Sequence, residues 1–140
     1  MVTVYDVDPR KFINRAANRL KAEFKAIQPP EWAAFVKSGV GRQRAPAQKD
    51  FWYLRCASML RKLYVGGTVG VSRLRTAYGS RKKKGVRRRH FSKAGGAILR
   101  KGLQQLEKAG LVRKAKTGGR LLTSKGRAFM DSVAKEVKNG

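Results

Sequence analysis

The stretch DFWYLRCASMLRKLYVGG, residues 50–67, decides the fold. Between Asp50 and Gly66 nothing breaks a helix, because neither proline nor glycine occurs there. Asp50 is placed to cap the first turn, since its carboxylate can accept from unpaired backbone N–H groups. Gly66 and Gly67 supply a left-handed stop. At about 100° per residue, Met59, Trp52, Leu63, Cys56, Leu60, Tyr53, Tyr64 and Ala57 cover a continuous arc of roughly 160°, wider than the ~100° stripe of a surface helix. Phe51, Leu54 and Val65 carry apolar character onto the other side. The pattern predicts a central helix packed by several neighbours. Its remaining polar strip gathers Arg55, Ser58 and Lys62, with Arg61 nearby, so a buried helix presents charge outward.

Working toward the N-terminus, the loop 38–49 (SGVGRQRAPAQK) shows no periodicity and carries Arg42, Arg44 and Lys49. Glu31, Trp32, Phe35 and Val36 suggest one short amphipathic turn, with Trp32 and Phe35 read as core plugs in preference to stacking platforms. Pro29 and Pro30 stop a preceding helix, because the residue before a proline leaves the helical region. That helix is expected from Pro9 to Lys25, capped by Asp8 with proline at its first position. Phe12, Ile13, Ala16, Ala17, Leu20 and Phe24 repeat at helical spacing as its core face. Lys11, Arg15 and Arg19 lie at spacing four on another face. They could be three solvated cations, but in a chain this basic we favour a ridge that faces phosphates. Residues 1–7 alternate weakly and read as an extended arm.

Toward the C-terminus, a short strand is expected at 68–71, then a brief helix capped by Ser72 and ended by Gly79. The segment SRKKKGVRRRH follows, with seven cations from Arg81 to Arg89. No core can use such a composition, since each side chain wants water or a phosphate. It reads as a loop that clamps a polyanion through Arg81, Lys82, Lys83, Lys84, Arg87, Arg88 and Arg89. His90 is a cap, a stacking contact or a hydrogen-bond donor to RNA. A further helix is expected from Ser92 to Ala109, with Ile98, Leu99, Leu103 and Leu106 inward and Arg100, Lys101, Gln104, Gln105 and Lys108 outward. Two short runs around Gly118-Gly119 form a hairpin, the second starting at Arg120, which we count among the cations expected to meet the polyanion. Thr123 or Ser124 opens a last helix with Ala128, Phe129, Val133 and Val137 on its apolar side.

Composition points the same way. The 140 residues suffice for one domain, here an N-terminal arm, helix and basic loop (1–50) joined to a core (51–138). Thirty-four Lys and Arg face eight Asp and Glu, for a net charge of +26. Self-repulsion of that size destabilises a compact state unless a polyanion neutralises it. Nucleic acid is the favoured partner; an anionic membrane surface is the minor alternative. The lone Cys56 lies on the apolar arc and reads as a core hydrophobe. No membrane-spanning stretch or secretory leader is recognisable. The scattered acids form no acid–base pair, and one His with one Cys cannot build a zinc site. We therefore expect no enzyme, no cofactor, no metal and no small-molecule substrate.

From residue 51 the order is helix, short strand, short helix, loop, helix, hairpin, helix. That is a winged helix-turn-helix with a short β-hairpin wing, mainly α and extended by N-terminal helices. The run L-x-x-L-E-K-A-G-L-V, then G-G-R-L-L-T, then K-G supports it. Such architecture does not settle function.

P-P-E-W at 29–32, D-F-W-Y-L-R-C-A-S at 50–58, L-Y at 63–64, V-G-V at 69–71, Y-G at 78–79, G-V at 85–86, H-F-S at 90–92, L-Q-Q-L-E at 103–107 and G-G-R-L-L-T at 118–123 narrow it. Over nearly its whole length the chain resembles the archaeal and eukaryotic ribosomal protein nineteen family of the small subunit. The resemblance implies a winged-helix protein in the head of that subunit, bound to small-subunit ribosomal RNA beside other head proteins and needed for late subunit maturation. It implies a cytoplasmic ribosomal location, with nucleolar assembly in a eukaryote, and a monomer within the ribosome. It also implies a basic RNA surface at positions matching Arg55 and Arg61, and a second at Arg100 and Lys101. The 81–89 segment and the 113–116 strand are more basic than the family pattern demands. The runner-up is a winged-helix DNA regulator or chromatin protein, with Gln104 or Gln105 reading adenine edges from the 92–109 helix. Charge spread over so many elements favours RNA.

Overall fold

The computed structural model describes residues 2–34, 50–84, 87–116 and 118–139, with the side chains of 33–34 and 80–90 outside that description. In chain order the elements are a 3-10 turn η1 (Val4–Asp6), α1 (Pro9–Glu23), a second 3-10 turn η2 (Glu31–Ala34), α2 (Phe51–Gly66), α3 (Val71–Ala77), β1 (Ser80–Lys84), β2 (Arg87–Ser92), α4 (Gly96–Lys108), β3 (Val112–Lys114), β4 (Arg120–Leu122) and α5 (Ser124–Asn139). The strands make two antiparallel pairs, β1 with β2 and β3 with β4. The fold is mainly α and winged-helix-like, as expected.

Helix α2 is the centre, packed by α1, α4, α5 and β4. Trp52, Cys56, Ala57, Met59, Leu60, Leu63 and Tyr64 of the expected arc are buried, while Tyr53, Phe51 and Leu54 are partly so. Val65 departs from the pattern and is exposed. The helix stops where Gly67 takes φ +75° and donates its N–H to Leu63 O at 3.0 Å, a conformation that a Cβ would penalise. Its start differs from expectation. Asp50 makes no side-chain cap, because its backbone is not in the extended conformation that capping needs. Its carboxylate instead pairs with Lys21 of α1 at 3.1 Å.

Helix α1 is capped as expected, Asp8 accepting from Arg10 N. It buries Phe12, Ala16, Ala17 and Leu20, with Ile13 and Phe24 partly covered. It ends at Glu23, two residues early, as Phe24 turns into extended backbone. The N-terminal arm is not extended. Thr3 donates its backbone N–H and hydroxyl to the Asp6 carboxylate at 2.8 and 3.1 Å, closing η1. Val4 is thereby buried, with η1 against α5.

The strand expected at 68–71 reduces to one bridge, Val69 with Arg120. Gly119, at φ +78°, brings its backbone so near Val69 and Gly70 that a Cβ there would stand 3.1 Å from Val69 C. The chain then turns at Gly70 into α3, which starts at Val71 without a Ser72 cap.

The expected 80–92 loop is also different: β1 and β2 form a hairpin from Ser80↔Ser92 to Lys84↔Arg87, with an irregularity between Lys82 and Lys84. A cationic composition excludes burial of these side chains, not strand pairing. A two-stranded ribbon needs only backbone pairing, so cationic side chains do not forbid it. Because β2 runs through Ser92, α4 begins at Gly96 and not at 92. Arg75 Nε donates to Ala94 O at 2.8 Å and Ala94 N to Arg75 O at 2.9 Å, latching α3 to the entry of α4.

The β3–β4 wing, with Val112↔Leu122 and Lys114↔Arg120, lies where the Gly-Gly turn placed it. Thr123 starts α5 by accepting from Gly126 N at 3.1 Å and donating to Gly110 O at 2.7 Å. Phe129, Met130, Val133 and Ala134 of α5 are buried. Ala128, expected on that face, is exposed. One apolar cluster joins Val4, α1, α2, α4 and α5, and no polar or charged residue among those described is buried.

Candidate nucleic-acid interface

The polar strip of α2 is gathered around one aromatic residue that follows α3. The Arg55 guanidinium lies 4.0 Å from the Tyr78 ring centroid and 5.2 Å from that of Phe51. Lys62 Nζ lies 5.1 Å from the Tyr78 centroid. Ser58 Oγ and Tyr78 Oη are 2.5 Å apart. Burial pushes the Tyr78 hydroxyl pKa up, so the phenol stays protonated and can donate. These contacts hold the strip's cations in fixed places. Arg61 is half-buried, and its Nε is buried without a hydrogen-bond partner among the described residues.

A second cationic surface lies on α4. Ile98, Leu99, Leu103 and Leu106 take the inner side, leaving Arg100, Lys101, Gln104 and Lys108 exposed. Arg113 and Lys114 of β3 are also exposed. Gln105 does not belong to this surface. Its Oε1 accepts the Trp52 indole N–H at 2.7 Å, and its Nε2 donates to Gln28 O at 2.7 Å. Arg120 is drawn inward as well: its side chain is 14% exposed, with Nε 3.7 Å from Glu107 Oε2.

The α1 stripe divides. Arg15 Nε pairs with Glu136 of α5 at 2.9 Å. Arg19 reaches Glu23 at 3.1 Å and Glu136 at 3.3 Å, and lies over the Phe129 ring. This is an ionic seam between α1 and α5, of the kind worth about 0–1 kcal/mol per exposed pair. Lys11 is exposed, with no acid partner among the described residues. Arg42, Arg44, Lys49, Phe35 and Val36 lie outside the described residues. Arg81 to Lys84 and Arg87 to His90 are placed by their backbones on facing strands, with Lys82 opposite His90; their side chains lie outside the description. Trp32 is 37% exposed and meets Trp52 edge-on at 6.0 Å, so it plugs the core only partly.

Sequence reasoning missed Tyr78 as an organiser, and also Arg10 and Asn14, which line a cleft with Arg55. Arg10 and Asn14 stand four apart on α1, a spacing that puts them on one face. Nothing local joins Tyr78 to a helix twenty residues before it. The arrangement offers cations, aromatic rings and amides, which suit a polyanion. Cys56 is no nucleophile, since burial pushes its thiol pKa up to about 12. Among the described residues no cluster of His, Cys, Asp or Glu could hold a metal ion, and no helix is long and apolar enough to cross a membrane.

A family model described as Ribosomal protein S19e matches residues 3–140. The chain belongs to the ribosomal protein S19e family. It is 44% identical over 138 residues to the small ribosomal subunit protein eS19 of Aeropyrum pernix, covering 98% of this chain and 90% of that relative. Identity to eS19 of Haloarcula marismortui is 43% over 141 residues, with 98% and 92% covered. Identity to eS19G of Ascaris suum is 40% over 137 residues, with 97% and 92% covered. S19e proteins are structural proteins of the cytoplasmic ribosome and not enzymes.

Proposed function

We propose that this S19e chain is a constituent of the small ribosomal subunit, a monomer there, that binds small-subunit ribosomal RNA in the head region and supports late subunit maturation. Its basic helices and the β1–β2 hairpin meet the phosphate backbone beside neighbouring head proteins. The observation that carries this reading is the placing of unmatched charge. Lys11 on α1, Lys62 on α2, Arg100 and Lys101 on α4, and Arg113 and Lys114 on β3 all lack acid partners among the described residues. Charge on several rigid elements suits a protein set among several RNA segments, where shape and phosphates are read. The small-subunit names of the relatives support the same assignment. A DNA-reading helix fits less well, because Gln105 is committed within the fold.

Two measurements test the proposal. In a sucrose gradient the protein should travel with the small subunit and stay there through a high-salt wash. Affinity for ribosomal RNA fragments should fall steeply with salt; six to ten phosphate contacts cost ~10³–10⁵ between 50 and 200 mM on duplex DNA. A flat salt response, or migration with chromosomal DNA, would refute it.

A further inference from the structure

We propose that the cleft between α1 and α2, closed at one side by Tyr78, seats a single unpaired RNA base, with adenine the best match. The proposal rests on the RNA-binding reading and deepens it. The open cleft measures about 700 Å³, within the ~300–1,000 Å³ of small-ligand sites. Ile13, Phe51 and Leu54 give it an apolar lining, while Arg10 and Arg55 contribute positive charge and, among the described residues, no carboxylate lines it.

That combination selects the occupant. A bare phosphate would satisfy the arginines and leave the apolar wall unused. A cationic ligand would meet like charge. An unstacked nucleotide offers both an apolar π-face and an anionic linkage, and RNA-binding proteins hold such bases against aromatic rings and arginine planes. Phe51 and Tyr78 are the rings here, and both already lie against the Arg55 guanidinium. Because Tyr78 is itself held by Ser58, the wall is preorganised. Asn14 is exposed on the cleft and carries an amide donor and acceptor together. An asparagine amide matches the N6 and N7 edge of adenine bidentately.

The test uses the full chain and two RNA hairpins of equal phosphate count, one with a single bulged adenine and one with an abasic residue at the bulge. The adenine hairpin should bind about tenfold more tightly, at the lower end of single-base stacking losses. Leu54→Trp fills the cleft without changing charge and should erase the difference between the two hairpins. Asn14→Leu alters an exposed side chain and should reduce the difference too, so it carries the test if Leu54→Trp does not fold. Equal binding of both hairpins by the unaltered chain, with steep salt dependence retained, would overturn the cleft and leave RNA binding standing. Failure to bind either hairpin would overturn RNA binding, and the cleft with it.

Discussion

The Trp52 indole N–H donates to Gln105 Oε1 at 2.7 Å, tying the first turn of α2 to α4. The same oxygen accepts Gln28 N–H at 3.2 Å, and Gln105 Nε2 returns a bond to Gln28 O at 2.7 Å. One amide thus holds three segments: α2, α4 and the chain after α1. A residue that looked from its sequence position like a base reader is a structural clamp. Gln104, one place earlier, is exposed and takes no part.

Gln105→Ala should therefore destabilise the protein by about 1–3 kcal/mol, because it leaves the part-buried Trp52 N–H without its partner. Gln104→Ala should stay within about 0.5 kcal/mol. Trp52→Ala, at a side chain 2% exposed, should cost ~3–5 kcal/mol. Urea unfolding midpoints give all three values. Equal midpoints for the two glutamine variants would remove the clamp.

Arg55→Glu should fold, with a modest loss of about 0.5–2 kcal/mol from its stacking on Tyr78, and should fail to co-sediment with the small subunit. Arg55→Lys keeps charge without the planar face and should retain part of the association. Circular dichroism separates the two effects. A melted Arg55→Glu chain would make Arg55 a structural residue first.

What the sequence made legible was what repeats locally. The arc of α2 follows from helical period alone, and Trp52, Cys56, Met59, Leu60 and Leu63 lie buried where that period put them. The wing follows from Gly118-Gly119 between two short apolar runs. What it hid depends on partners distant in the chain. Arg15 and Arg19 read as a free ridge because Glu136, which binds both, lies more than a hundred residues on. Arg120 read as an RNA-facing cation, yet its side chain is drawn inward beside Glu107. The β1–β2 hairpin was read as a loop because its apolar content is low, but strand pairing is a backbone matter. The cleft needs Tyr78 to return against α2, and no spacing rule announces that return.

The Asp6 carboxylate should make the N-terminal turn acid-sensitive. Hydrogen bonds from the Thr3 backbone and hydroxyl hold its pKa below the usual 3.8, helped by the charge of Lys138 and the N-terminus. A depressed pKa means stability that is present above about 3.8 and lost as pH falls through the lower folded-state value. Asp6→Ala should accordingly melt below the unaltered chain at neutral pH, and the gap should close in acid beneath that folded-state pKa. A gap that persists there would assign the loss to packing of Val4 against α5 and not to the carboxylate.

Two helical glycines should answer alanine substitution in opposite ways. In a helix interior alanine is ordinarily favoured over glycine by about 1 kcal/mol. At Gly126, in the first turn of α5, a Cβ would stand on the Leu111 carbonyl oxygen and press Leu122 Cδ2 at 3.2 Å. That carbonyl also accepts Thr123 N–H at 3.1 Å, so it cannot retreat without loosening the wing from α5. At Gly102 the Cβ would meet Met59 Cε at 2.5 Å, with Cys56 Sγ at 3.6 Å. A thioether methyl has free torsions and adapts where a backbone carbonyl does not. Gly126→Ala should cost about 1–3 kcal/mol as overpacking, while Gly102→Ala should lie within about 1 kcal/mol of neutral as propensity offsets the crowding. Thermal melts of the two variants decide it. A stable Gly126→Ala would mean that the wing can shift away from α5, and amide exchange at Thr123 would then rise with it.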